Sequence, residues 1–173
     1  ETPNEASLLE CNKIQNRNRD LLGCVRKIQD SGLQVTAGFI LGFDNDPPSV
    51  FERLTAFIQN SGIVSAMVGL LNAPPQTKLY QRLSREGRIL SDGTGDNTDF
   101  TINFVPKMSQ EMLVAGYAKV IDGIYSVGPY YHRVQEYLKR HRSLRKRKRE
   151  RPKLSDVGPM VKLMFRLGLA GKE

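Results

Sequence analysis

The stretch Gln34-Val-Thr-Ala-Gly-Phe-Ile-Leu-Gly-Phe-Asp-Asn-Asp46 is the most apolar and most β-prone segment in the first half of the chain. As a strand it sends alternate residues to opposite faces. Gly38, Ile40 and Gly42 then share one face, and Ala37, Phe39, Leu41 and Phe43 share the other. The bulky face suits packing under helices. The bare face admits two readings: a bulge or tight packing in an ordinary buried strand, or a surface kept clear for a flat ligand or another backbone.

Working outward, residues 6–17 fit a short helix, and Leu21, Leu22, Val25 and Ile28 recur at helical spacing before a stop at Ser31-Gly32. Downstream, Asp46 is placed to cap a helix with Pro47 in its first position, where a missing N–H costs nothing. The helix stripe is Val50, Phe51, Leu54, Phe57 and Ile58, ended by Ser61-Gly62. Ile63 to Leu71 is a near-continuous apolar run, as in parallel strands covered on both faces. Thr77 to Gly87 predicts a short helix, Ser91 to Asp99 a polar loop, and the alternation of Phe100 to Val105 a half-buried third strand. Ser109 then caps a long helix through Met112, Leu113, Tyr117, Val120, Ile121 and Ile124, and Gly128-Pro129 separates it from a last helix, Tyr130 to about His141.

Short connections between alternating elements predict an α/β fold: a partial (β/α) barrel of about three parallel strands, followed by an α-helical extension. The boundaries expected are 1–90 for the barrel part, 91–141 for the strand and extension, and 142–173 for a basic tail, disordered or amphipathic.

The net charge of +8 is concentrated. Residues 139–151 hold nine Lys and Arg against one Glu, and the rest of the chain is balanced. Cys11 and Cys24 are the only cysteines, too few for a cluster site and at no zinc or redox spacing. Free thiols fit a reducing, cytoplasmic setting, with no signal peptide and no apolar run near the ~20 residues that span a bilayer. The start at Glu-Thr-Pro, without Met, suggests a piece of a longer protein.

Three pieces in order resemble the C-terminal half of a radical S-adenosylmethionine (SAM) barrel. Glu1-Thr2-Pro3-Asn4 resembles the end of that barrel's fourth strand. Gly38-Phe39-Ile40-Leu41-Gly42 is similar to the fifth-strand element that passes the adenine of SAM. Asn72-Ala73-Pro74-Pro75-Gln76-Thr77, with Leu79-Tyr80, looks like the loop after the sixth strand. The wording is nearest the subgroup with an N-terminal cobalamin-binding domain, which includes hopanoid-methylase-like proteins. In that subgroup a helical extension resembling Thr98 to Leu138 follows the barrel.

The resemblance implies SAM and a [4Fe–4S] cluster as cofactors, cobalamin as a methyl carrier, and transfer of a methyl group to an unactivated carbon. It implies Glu1, Thr2, Gly38, Ile40, Gly42 and Asn72 as cofactor-binding residues, and no catalytic or metal-ligating residue in this chain. The family's three-cysteine loop and its glycine-glycine-acid segment are absent from the sequence. The chain is therefore expected to supply one wall of the SAM cavity and part of a substrate pocket, to be inactive alone, and to partner the upstream remainder of the same protein.

Other candidates read more plainly. Asp44-Asn45-Asp46 resembles half a calcium loop, but Pro47-Pro48 follows and a helix cap fits better. Asn97 and Asp99 suit a solvated loop, and His132 and His141 are ordinary helix residues. Tyr117, Tyr125, Tyr130, Tyr131 and Tyr137 suit packing or a lid over the barrel mouth. The run Lys139 to Arg151 admits a solvated tail, an anionic-membrane patch continued by Val161, Leu163, Met164, Phe165 and Leu167, or nucleic-acid binding, ranked last for want of a base-reading motif. A small-molecule or lipid substrate is expected; a lipid substrate would make the second of these readings useful, with a location peripheral to the membrane. The alternative to an enzyme fragment is a basic adaptor working through residues 139–167.

Overall fold

In a computed structural model, residues 2–93, 101–144, 158–159 and 161–162 are described, with side chains of the last long helix described to residue 139. A short helix α1 (Glu5–Glu10) and a 3-10 turn (Ile14–Asn16) lead to α2 (Leu21–Asp30). Then come β1 (Thr36–Leu41), α3 (Val50–Ser61), β2 (Ser65–Leu70), α4 (Lys78–Arg85), α5 (Gln110–Tyr125) and α6 (Val127–Leu144).

The two strands are parallel and pair in register, Thr36 with Ser65 through Leu41 with Leu70. Ala37, Phe39 and Leu41, with Ala66, Val68 and Leu70, face α3 and α5. There Val50, Leu54 and Ile58 meet Leu113, Val120 and Ile124 in one core, and the Phe57 ring stands edge-on to Phe39 at 5.9 Å. The extension helix α5 thus shares its core with the βαβ unit. A second cluster, Phe43, Leu71, Ala73, Leu83 and Phe104, lies beyond the carboxyl ends of the strands.

The expected mixed α/β fold is present, but as a two-stranded sheet. The third strand is corrected. Phe104 makes a single antiparallel bridge to Ile89, so the segment folds back on the end of α4 instead of entering the parallel sheet. Asn103 explains why. Its buried amide accepts from Ala73 N–H (2.8 Å) and donates to Ala73 C=O (2.8 Å), which anchors the segment beyond the strand ends. The expected alternation is real, but it serves a hairpin.

Two boundaries also shift. Asp46 does not cap α3, whose N-cap is Ser49; its carboxylate turns back instead to the end of β1. The break before α6 falls at Ser126, and Gly128-Pro129 sits in the first turn of α6, where proline leaves no helical bond unmade. The cap read at Ser109 is present, accepting from Met112 N–H (3.2 Å), and Thr77, not read as a cap, caps α4 by accepting from Tyr80 N–H (3.1 Å).

Candidate functional site

Helices cover one face of the sheet, so the other carries the site. Register places Gly38 beside Met67 and Ile40 beside Gly69 on that face. A Cβ built on Gly38 or Gly69 meets nothing within 4 Å, and Met67 is 67% exposed. The apolar run of β2 is therefore not covered on both sides as expected. Gly38, Ile40, Met67, Gly69 and Asn72 line a groove of about 820 Å³. The glycines leave backbone accessible without a packed neighbour, so a flat ring can lie against the strands.

Gly42 does not share this face. Its φ of +103° takes the chain out of strand alternation, and its Cβ would stand 3.0 Å from Leu113 Cδ2 on the core side. Such a backbone suits glycine for conformational reasons. The turn is closed by Asp46, whose Oδ2 accepts the N–H of Gly42 (3.0 Å) and of Phe43 (3.1 Å). Asp46 Oδ1 accepts from Ser7 Oγ (2.6 Å) and Asn4 Nδ2 (3.2 Å), and Asn4 Nδ2 also donates to Asn45 C=O (2.8 Å). One buried carboxylate thus joins the opening segment to the tip of β1.

Thr2 is buried, its Oγ1 accepting from Asn4 N–H, and it lines a 190 Å³ cavity with Ala37, Gly38 and Phe39. Asn72 lines the larger groove, but its Oδ1 accepts Asn103 N–H (3.2 Å) and its Nδ2 donates to Thr101 C=O (3.2 Å). Glu1 lies outside the described residues, as do Asn97, Asp99, residues 145–151 of the basic run, and Leu163, Met164, Phe165 and Leu167. The structure thus brings Gly38 together with Ile40 and Asn72 on one side and with Thr2 on the other, and it sets Gly42 apart.

Beyond the strand tips, between α1 and α4, lies a 420 Å³ pocket with Cys11, Ile40, Phe43, Leu71 and Leu79 among its walls and Arg82 at its side. An ion-pair network supports it, and no sequence signal announced it. Asp44, almost fully buried, takes Arg88 through two oxygens (2.6 and 2.9 Å) and Arg82 at 2.8 Å; Arg82 also reaches Glu10 at 2.9 Å. The Arg88 hydrogen bonds hold the Asp44 carboxyl below its usual range, against desolvation that works the other way. The network ties the loop after β1 to α1, α4 and Arg88.

The tyrosines of the extension stand along the outer edge of β2 instead of over the strand tips. Tyr125 and Tyr117 bond the backbone of Ala66 and Val68, and Tyr125 and Tyr130 flank the Arg133 guanidinium at 5.7 and 5.6 Å from the ring centroids. Tyr117 and Tyr125 also line the 820 Å³ groove, on its α5 side.

Among the described residues no group of three or more His, Cys, Asp or Glu is placed to hold a metal ion. Cys11 is half-buried, its Sγ donating to Leu8 C=O at 3.6 Å, and Cys24 is exposed; neither is in a disulfide. No helix among the described residues is long and apolar enough to cross a membrane.

A family model described as a domain of unknown function (DUF4070) matches residues 77–173. The chain is 32% identical over 171 residues to an uncharacterized methyltransferase of Synechocystis sp., covering 98% of this chain and 32% of the relative. It is 39% identical over 105 residues to the hopanoid C-2 methylase of Rhodopseudomonas palustris, covering 61% of this chain and 19% of the relative. The chain spans about a third or less of the length of these curated relatives. The hopanoid-methylase-like resemblance read from the sequence is borne out. No solved structure matches.

Proposed function

The chain belongs to the family described as a domain of unknown function (DUF4070), and from that premise we propose that it is the C-terminal part of a radical SAM methyltransferase. The observation that carries the reading is the bare sheet face. Gly38 and Gly69 open space within a parallel sheet whose other face is fully occupied by helices. In parallel α/β folds, ligands gather at the carboxyl ends of the strands.

The described residues fit one wall for SAM. Gly38, Ile40 and Gly69 offer a flat apolar surface with exposed backbone for a purine, and Thr2 stands at the neighbouring edge. Asn72 holds the 101–103 segment that borders the groove, so its part is positioning. The pocket between α1 and α4 adjoins the same face through Ile40 and offers an apolar wall of Phe43, Leu71 and Leu79 for a substrate carbon. Cys11 and Cys24 do not fit a [4Fe–4S] cluster. When bound, SAM would supply the methyl group, and its radical chemistry would draw one electron from a [4Fe–4S] cluster held by residues outside this chain; cobalamin as carrier and a lipid substrate belong to the same proposal.

The test uses the full-length protein, reconstituted anaerobically. Gly38→Val and Gly69→Val add side chains into open space, so folding is expected to survive. SAM binding by calorimetry should weaken at least about tenfold in both, roughly 1.4 kcal/mol. Undiminished binding in both folded variants would remove the bare face from the cofactor site.

A further inference from the structure

The 420 Å³ pocket beyond the strand tips has two kinds of wall. Ile40, Phe43, Leu71 and Leu79 form the apolar part, with Phe43 and Leu71 buried. Glu10, Lys13, Lys78 and Arg82 supply the charged groups. Lys78 is exposed and Lys13 half-buried, so the cations stand toward solvent and the apolar floor lies deeper.

The carboxylate in this wall is already neutralised. Glu10 Oε1 takes Arg82 at 2.9 Å, and its Oε2 accepts the backbone N–H (3.2 Å) and Nδ2 (3.0 Å) of Asn45. Arg82 turns its other terminal nitrogen to Asp44 at 2.8 Å. Lys78 has no carboxylate partner among the described residues. Lys13 and Lys78 therefore leave the mouth of an apolar pocket positive.

We propose that the substrate taken here is an amphiphile, with an apolar body on the floor and a terminal carboxylate or phosphate at Lys13 and Lys78. The proposal rests on the methyltransferase reading of the site and adds the chemical class of the acceptor. Ile40 and Leu71 line both this pocket and the groove over Gly38 and Gly69, so the apolar end lies toward the cofactor face and the anion stays at the mouth. The volume suits a small molecule, for which sites of about 300–1,000 Å³ are usual. Charge and polarity decide among occupants. A cationic ligand would meet like charge at the mouth. A wholly polar anion would leave the floor uncovered, and a neutral hydrocarbon would gain nothing from the lysines.

Calorimetry on the full-length protein without SAM tests it, with octanoate, octyl phosphate, 1-octanol and butyrate as probes. At least one of the two eight-carbon anions is expected to bind about tenfold or more tightly than 1-octanol, through the charge. Octanoate should exceed butyrate by at least about tenfold, through four further methylenes. The stronger of octanoate and octyl phosphate identifies the head group. In the double variant Lys13→Gln, Lys78→Gln the preference over 1-octanol should disappear while 1-octanol binds as before, which also reports an intact pocket. Equal binding of the anions and 1-octanol by the wild type overturns the proposal, as does a preference that survives in the double variant. Absence of binding by both anions, as when another part of the protein fills the pocket, overturns it too. Undiminished SAM binding in Gly38→Val and Gly69→Val would leave this discrimination standing, and loss of the discrimination would leave the SAM result standing, so the two readings fail separately.

Discussion

The carboxylate of Asp46 accepts the backbone N–H of Gly42 at 3.0 Å, and that bond fixes the turn by which β1 leaves the sheet. Gly42 holds φ at +103° with Leu113 Cδ2 3.0 Å from where a Cβ would stand. Gly42→Ala should therefore cost about 2 kcal/mol, combining strain with overpacking. Gly38→Ala, with open space around it, should stay within about 0.5 kcal/mol. Chemical denaturation of the two variants checks the difference; equal losses would show that Gly42 is not held by its backbone.

Asp46→Ala reaches further. Four donors, from Gly42, Phe43, Ser7 and Asn4, lose their acceptor at a buried position. A loss of about 2–4 kcal/mol is expected, with faster hydrogen exchange at the Gly42 and Phe43 amides. Protection unchanged at both amides would refute the assignment.

The Asp44 network gives a pH dependence with a definite sign. The folded carboxyl titrates below the unfolded one, chiefly because Arg88 hydrogen-bonds its charged form. The stabilisation is complete above the unfolded value of about 4 and is lost as pH falls through the lowered folded value. Asp44→Asn should thus destabilise by about 2–3 kcal/mol at neutral pH. Its penalty should shrink as pH drops below about 4. A penalty constant across an acid titration would contradict this origin.

Arg133 is buried with Nη1 and Nη2 lacking hydrogen-bond partners, and burial pushes its pKa down. Among the described residues only Nε bonds, to Ile63, while Tyr125 and Tyr130 face the guanidinium. Packing should therefore matter more than charge at this position. Arg133→Ala should cost about 2–4 kcal/mol through the cavity it leaves, whereas Arg133→Met should recover more than half. Equal losses in thermal unfolding would mean that the charge outweighs the packing.

Both core strands were legible in the sequence, because β-branched and apolar runs bounded by Ser-Gly and Asn-Pro signals leave few alternatives. The helix stripes of α3 and α5 were legible for the same reason, whereas α2 buries Gln29 and leaves Ile28 exposed; the open face at Gly38 and Ile40 was one of the two readings the glycines admitted. The fate of Phe100 to Val105 was not. Alternation reports a half-buried extended segment without naming its partner, and the partner was chosen by the amide of Asn103 on Ala73. Gly42 looked equivalent to Gly38 because a positive φ leaves no trace in residue spacing. The Asp44 pairs with Arg82 and Arg88 span about forty positions of chain, beyond any local pattern. Arg133 reads as a surface residue in a basic helix, and only the packing of α6 shows otherwise.

The hydroxyl of Tyr125 accepts Ala66 N–H at 3.2 Å and donates to Ala66 C=O at 2.6 Å, and Tyr117 donates to Val68 C=O at 3.3 Å. Side chains thus occupy ladder positions that a further strand would need beside β2. The consequence is vectorial. This sheet has a terminator on one margin, so any strand that lengthens it must add at β1, beside Thr2 and Gly38.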